Sequence, residues 1–319
     1  MAKELSSGPV FTVTAPPHWH CGRTVSGLMS QTILALMPAA VLAVAFFGFD
    51  ALRVMALSCA TAVITEYLCL KAMGRDIATD NYSSLLVGLL FAFLMPATAP
   101  WWVVIVGSAV SIALGRMVFG GLGGNPMCAP VIGWAVLRIS WPTQIDIDAM
   151  MLNTERICPI SQLKYLGLQN MAHVSYSDML LGGGVMGGLG AMHILALLAG
   201  GIYLISRGYL RWHIPAAFLA GVFITALIYN GMDSTQYASP VFHLLAGNVM
   251  FAAFFLIPDH SSSPAGKTAM LVYGLLAGVL VMLIRIYGIY PDGVPFAVLL
   301  ANLMTPLIDM IRPKPFGAR

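Results

Sequence analysis

The sequence predicts an all-α integral membrane protein of about ten transmembrane helices, arranged as two halves of five that an inverted repeat would relate. Three observations predict it: composition, the recurrence of apolar runs, and the placement of basic residues. Of the 319 residues, 59% are hydrophobic and only 9% charged, with a mean hydropathy of +0.84. A soluble domain carries roughly 25% charge, so this chain lacks the polar groups to cover a globular surface. A large buried α/β core is excluded by run length. Its strands would be short, whereas here apolar runs near the ~20 residues needed to span a bilayer recur along the whole chain.

The spans read as 25–47, 51–72, 82–99, 101–119, 126–141, 185–206, 214–230, 238–257, 268–289 and 294–311. The fifth is interrupted by Asn125-Pro126 and Pro130. Broken helices in membranes usually line a cavity or a site. Trp101, Trp102, Trp134, Trp141 and Trp212 fall near span ends, as an aromatic belt would place them. Residues 1–20 hold no apolar core of a signal peptide, so the first hydrophobic stretch is expected to remain as a helix.

Basic residues set the orientation. With the N-terminus inside, the cytoplasmic face collects Lys3, Arg23, Lys71, Arg75, Arg116, Arg207, Arg211, Lys267, Arg312, Lys314 and Arg319. The other face collects only Arg53, Arg138, Arg156, Lys164 and Arg285. The positive-inside rule therefore favours both termini inside and an even number of spans. Dropping the broken fifth segment would divide the sixteen basic residues almost equally, so the pattern counts it as a crossing. The chain then divides into a first membrane half (1–141), an external polar loop (142–184) and a second membrane half (185–319). Five is odd, so the second half would be inverted relative to the first, a common transporter architecture.

Few residues offer chemistry. Gly120-Gly121-Leu122-Gly123-Gly124-Asn125-Pro126 precedes the fifth span on the cytoplasmic side. Glycines let the backbone approach a ligand closely, and a helix N-terminus attracts anions. The other reading is a tight turn between packed helices. No Gly-Lys-Ser/Thr follows, so it is not a P-loop. A second run, Gly182-Gly183-Gly184 to Gly187-Gly188-Leu189-Gly190, opens the sixth span at the opposite face with the same two readings. Glu66 is the only acidic residue well inside a span; a carboxylate there marks an ion path or a structural bond between helices. His193 and His243 read as structural, and Pro258 to Pro264 as a polar cytoplasmic turn. The cysteines Cys21, Cys59, Cys69, Cys128 and Cys158 show no CxxC spacing. Neither a disulfide framework nor a metal site is expected, and no Ser/His/Asp triad is visible. The net charge of +3 says little by itself; membrane lipid is an expected partner and nucleic acid is not.

Several stretches in collinear order resemble the D subunit of the Rnf electron-transport complex, which is similar to the B subunit of the sodium-pumping NADH:quinone reductase. Pro17-His18-Trp19-His20, Thr24 and Leu34-Ala35-Leu36-Met37-Pro38-Ala39 resemble that family's opening. Asp80 to Leu94 resembles its third span, and Val118-Phe119-Gly120-Gly121-Leu122-Gly123-Gly124-Asn125 its VFGGLGxN signature. Leu245-Ala246-Gly247 through Phe254-Phe255 to Asp259 and Ser263-Pro264 resembles its GAFFxxTDPxTSP stretch, and Asp292 to Asn302 with Pro306-Leu307-Ile308-Asp309 its final helix.

The resemblance implies a bacterial inner-membrane subunit of a complex that passes electrons between ferredoxin and NAD and couples this to sodium or proton movement. It implies Rnf-type A, B, C, E and G subunits as partners and a flavin as cofactor. The family's FMN hangs by a phosphodiester from a Thr in the external loop. Here those positions read Glu155-Arg156-Ile157-Cys158, so the acceptor hydroxyl is replaced by a thiol. The expectation is a flavin, FMN or another, bound without a covalent link. Gly121, Gly123, Gly124 and Asn125 would hold it, Arg156 is a candidate phosphate partner, and Glu66 is the candidate for ion coupling. The competing class is a small-solute channel or transporter of the same architecture, which needs no cofactor.

Overall fold

The computed structural model describes residues 23–75, 81–145, 158–168, 175–182 and 188–311. Their regular structure is all helical, with no strand among them. Helix α1 (Val25–Phe47) starts where the Thr24 hydroxyl accepts from the Gly27 N–H at 3.0 Å, and it carries Pro38 in its interior. It turns at Gly48, whose φ of +65° reverses the chain within one residue, into α2 (Phe49–Ala72). Then come α3 (Ser83–Leu94), α4 (Trp101–Ile112, continued by a π turn over Ala113–Met117) and α5 (Ala129–Ser140).

The segment that follows contributes α6 (Pro142–Ile145), α7 (Pro159–Leu166) and α8 (Tyr176–Leu181). The second half holds α9 (Ile194–Ser206), α10 (His213–Met232), α11 (Pro240–Leu245), α12 (Val249–Phe251, continued by a π turn over Ala252–Leu256), α13 (Lys267–Tyr287) and α14 (Val294–Ile308). Four helices, α1, α2, α10 and α13, are long and apolar enough to cross a membrane by themselves. The chain is a multi-pass membrane protein.

The ten expected apolar segments are present, but three differ in form. The third ends at Leu94, because Pro96 cannot extend the helix. The sixth begins only at Ile194. The eighth is two pieces, split at Ala246-Gly247-Asn248 where Gly247 has a φ of +68°. Short helices inside a bilayer leave carbonyls and N–H groups that must bond elsewhere. Here Leu189 and Gly190 N–H donate to the Met95 and Phe93 carbonyls at 3.1 and 2.8 Å, so the segment before α9 closes the end of α3.

Small residues bring the long helices together. Gly274 and Gly278 of α13 lie against the backbone of α10, and an added Cβ at Gly278 would overlap the Phe218 carbonyl. Such close approach is how helices associate where lipid offers no hydrophobic drive. Neighbour relations recur between the halves. Helix α2 packs on α3 and α4, and α4 on α5; α10 packs on α11 and α13, and α13 on α14. The halves meet where α1 packs on α9 and α5 on α14.

Candidate functional site

The glycine-rich loop folds for its own reasons first. Gly120, Gly121 and Gly123 have φ of +106°, +103° and +85°, a region that side chains rarely adopt. A Cβ at Gly124 would stand 2.5 Å from the Phe119 carbonyl. Arg75 Nη1 donates to the Gly120 carbonyl at 2.7 Å and ties the loop to the end of α2. The tight-turn reading is thus correct for this segment. It is also only half of the account, because Leu122, Gly123 and Asn125 line a cavity of about 590 Å³.

The cavity is bounded by the start of α1, the face of α3 carrying Ser83, Leu86 and Leu90, Arg116 from α4, the start of α5, and Phe255, Asp259 and His260. Asn125 Nδ2 donates to the Met127 carbonyl at 3.0 Å and to Asp259 Oδ2 at 3.2 Å. The same oxygen accepts from the Ser261 and Ser262 hydroxyls at 3.0 and 3.1 Å. The segment Pro258–Pro264, expected to be a solvated turn, is instead a wall of this site, with Ser262 buried. Sequence spacing could not pair Asn125 with a residue 134 positions away.

Glu66 does not line the cavity; it stands behind Arg116. The Arg116 guanidinium lies 3.6 Å from Glu66 Oε1, and both side chains are under 5% exposed. The nitrogen at that distance, Nη1, also donates to the Ser84 hydroxyl at 3.4 Å, and Nη2 donates to the Ser83 hydroxyl at 2.7 Å. Glu66 Oε2 has no hydrogen-bond partner among the described residues. The arrangement presents a fixed, compensated cation to a cavity with apolar walls.

A second, smaller cavity of about 70 Å³ lies at the other end of α5, lined by Leu94, Trp134, Arg138, Cys158, Asn248 and Asp292 among others. The Asp292 carboxylate there takes Arg285 Nη2 at 3.2 Å and both the backbone and side-chain N–H of Asn248 at 3.0 and 2.7 Å. Arg285 also donates to the His243 and Ala246 carbonyls at 2.8 and 2.7 Å, bonding the end of α11 to the break that follows it. Lys164 of α7 donates to the Arg285, Gly288 and Tyr290 carbonyls and caps the end of α13. Burial lowers its pKa from the ordinary lysine value. Between the two cavities Phe93 stacks on Phe251 at 5.5 Å, and Phe251 on Phe255 at 6.0 Å.

The remaining expected residues fall as follows. Cys158 is buried at the start of α7 among Ile160, Met179, Phe242 and Ala246. Arg156 and residues 183–187 of the second glycine run lie outside the described residues. His193 is buried edge-on to Phe46, and His243 is buried against Phe242. No group of three metal-ligating side chains occurs among the described residues.

Comparison with known proteins extends these observations. Residues 12–317 match the NQR2, RnfD, RnfE family. The chain is 35% identical over 301 residues to the D subunit of the Na(+)-translocating ferredoxin:NAD(+) oxidoreductase complex of Acetobacterium woodii, covering 94% of this chain and 92% of the relative. It is 34% identical over 351 residues to the D subunit of the ion-translocating oxidoreductase complex of Cronobacter sakazakii, covering 97% and 100%. The corresponding protein of Klebsiella pneumoniae is 35% identical over 350 residues, with the same coverage. The glycine loop, the Asp259 wall and both cavities lie within the matched region, and the chain belongs to the NQR2, RnfD, RnfE family.

Proposed function

We propose that this chain is the D-type membrane subunit of an ion-translocating ferredoxin:NAD oxidoreductase of the Rnf type, working in a bacterial inner membrane with A, B, C, E and G subunits. The observation that carries this reading is the near-complete, collinear match to subunits bearing that name. The proposed topology has both termini cytoplasmic and residues 142–184 outside. The two halves are proposed as an inverted repeat. Supporting this, each half buries one arginine late in its fourth span, Arg116 and Arg285, and each is followed by a polar residue shortly before the fifth span, Asn125 and Asp292.

The proposed flavin site is the larger cavity. Its volume lies within the ~300–1,000 Å³ of small-molecule sites, and its apolar walls with a few convergent polar groups suit a flat ring. Arg116, Asn125 and the loop backbone at Gly123 would hold the ring, with Gly121 and Gly124 shaping the loop behind it. A bound flavin supplies one- and two-electron transfer. The protein's part is to position it, exclude water and offset charge through the Glu66–Arg116 pair. The smaller cavity, at about 70 Å³, is too small for such a ring, and buried Cys158 supports the absence of a phosphodiester link.

The test is denaturing electrophoresis of the purified complex under ultraviolet light. Flavin should leave this subunit on denaturation. A fluorescent band at its mass, mapping to residues 154–161, would overturn the noncovalent reading. A flavin-free subunit that moves a solute alone in liposomes would favour the channel class instead.

A further inference from the structure

We infer that the face formed by the start of α1, the α9–α10 link and the start of α13 holds the phosphate of an anionic phospholipid. A cavity of about 340 Å³ opens there; it shares Arg23, Leu28 and His260 with the larger cavity but none of the glycine-loop residues. Arg23, Arg211 and His260 face it, its interior carries Leu28, Leu210, Ile214 and Met270, and no carboxylate is among its lining residues. A basic rim over an apolar interior matches a phosphate headgroup joined to acyl chains.

The position fits as well as the chemistry. Helix α9 ends at Ser206, α10 begins at His213 and α13 at Lys267, so the cavity sits where membrane-spanning helices meet the interface. Trp212, 56% exposed and stacked on His213 at 4.3 Å, stands beside it as interfacial tryptophans do.

The two arginines are placed rather than loose. Arg23 Nη1 donates to the Gly208 carbonyl at 2.8 Å, and its guanidinium lies 5.4 Å from the Tyr209 ring centre. Arg211 Nη1 donates to the Ala265 carbonyl at 3.0 Å. Each bond takes up one arm of a guanidinium that carries five N–H donors. Neither arginine forms an ion pair with a carboxylate among the described residues. Two held guanidiniums around a cavity form a fork for phosphate oxygens. This inference does not rest on the flavin reading, although Arg23, Leu28 and His260 line both cavities, and it does not depend on which leaflet the face meets.

The experiment exchanges the purified complex into detergent with equimolar phosphatidylglycerol and phosphatidylcholine and measures the lipid retained by mass spectrometry. A roughly ten- to thirty-fold preference for phosphatidylglycerol is expected. Each surface cation contributes about 1 kcal/mol toward anionic lipid, so Arg23→Gln with Arg211→Gln should weaken the preference roughly ten- to thirty-fold. Arg23→Lys with Arg211→Lys keeps the charge but removes the planar forks, and should keep only part of the preference. Lys267→Gln removes a nearby charge that does not line the cavity, and should change little. Equal retention by wild type and the double Gln variant would overturn the inference. So would a loss in Lys267→Gln as large as in the double variant, which would mean unspecific surface charge. Displacement of the lipid by millimolar inorganic phosphate would also overturn it and mark a site for free anion.

Discussion

At the scale of single residues, the charges inside the membrane decide most. Glu66 and Arg116 are both buried, so each is tolerable because of the other. Removing one partner of a buried pair costs about 3–5 kcal/mol, whereas replacing both by apolar groups is often neutral. Glu66→Ala should therefore lower the thermal midpoint of the complex strongly, and Glu66→Ala with Arg116→Met should recover much of the loss. Additive losses in the double variant would assign the pair no coupling. Asn125 is the second test. It bridges the glycine loop to Asp259 through a bond of 3.2 Å. Asn125→Ala leaves Asp259 without that donor, at a cost of about 1–2 kcal/mol. Flavin retained by the purified complex should then weaken roughly five- to thirty-fold, and unchanged retention would remove Asn125 from the site. The sequence singled out Glu66 because an acid in an apolar run is conspicuous. It could not do the same for Arg116, which lies near a span end, where arginine commonly snorkels to the interface. Its burial follows from Ser83, Ser84 and Glu66 arriving from two other helices.

At the scale of elements, glycine position separates packing from turn. Gly278 is wedged against the α10 backbone, whereas Gly231 near the end of the same α10 has open space around its missing side chain and no positive φ. Gly278→Ala should destabilise the protein by about 1–3 kcal/mol, the usual range for overpacking. Gly278→Leu should cut its accumulation in the membrane, and Gly231→Ala should do neither. Immunoblots of membrane fractions and thermal midpoints check this, and equal effects at the two sites would refute the packing account. The ten apolar segments were legible from run length, and the fifth break from Asn125-Pro126 and Pro130. The break at Ala246-Gly247-Asn248 was not, because one glycine in a long apolar run is compatible with an unbroken helix. What opens the chain there is tertiary: Arg285 takes the Ala246 carbonyl and Asp292 takes the Asn248 N–H groups, so bonds lost by the helix are regained from elsewhere.

At the scale of the whole molecule, burial sharpens the charge asymmetry that sets orientation. Eleven of sixteen basic residues fall on the proposed cytoplasmic face by sequence. Among the described residues on that face, Arg23, Lys71, Arg75, Arg207, Arg211 and Lys267 are exposed and Arg116 is buried. On the opposite face Arg138 and Arg285 are buried, Lys164 is bonded to the end of α13, and Arg53 is half-buried beside Asp50. The exposed charge available to hold one side against translocation is therefore more one-sided than the count. The cavities obey the same polarity. Helix α5 runs from Ala129 and Pro130 at the larger cavity to Trp134 and Arg138 at the smaller, a rise of roughly 1.5 Å per residue. The larger cavity should thus open toward the cytoplasm and the smaller toward the outside. A fluorescent-protein fusion at the C-terminus should be bright, because that reporter folds inside. An alkaline phosphatase fusion near Gln169 should be active, because that enzyme matures outside. Both reporters indicating the same side would break the ten-span count, and with it the assignment of the two cavities to opposite faces.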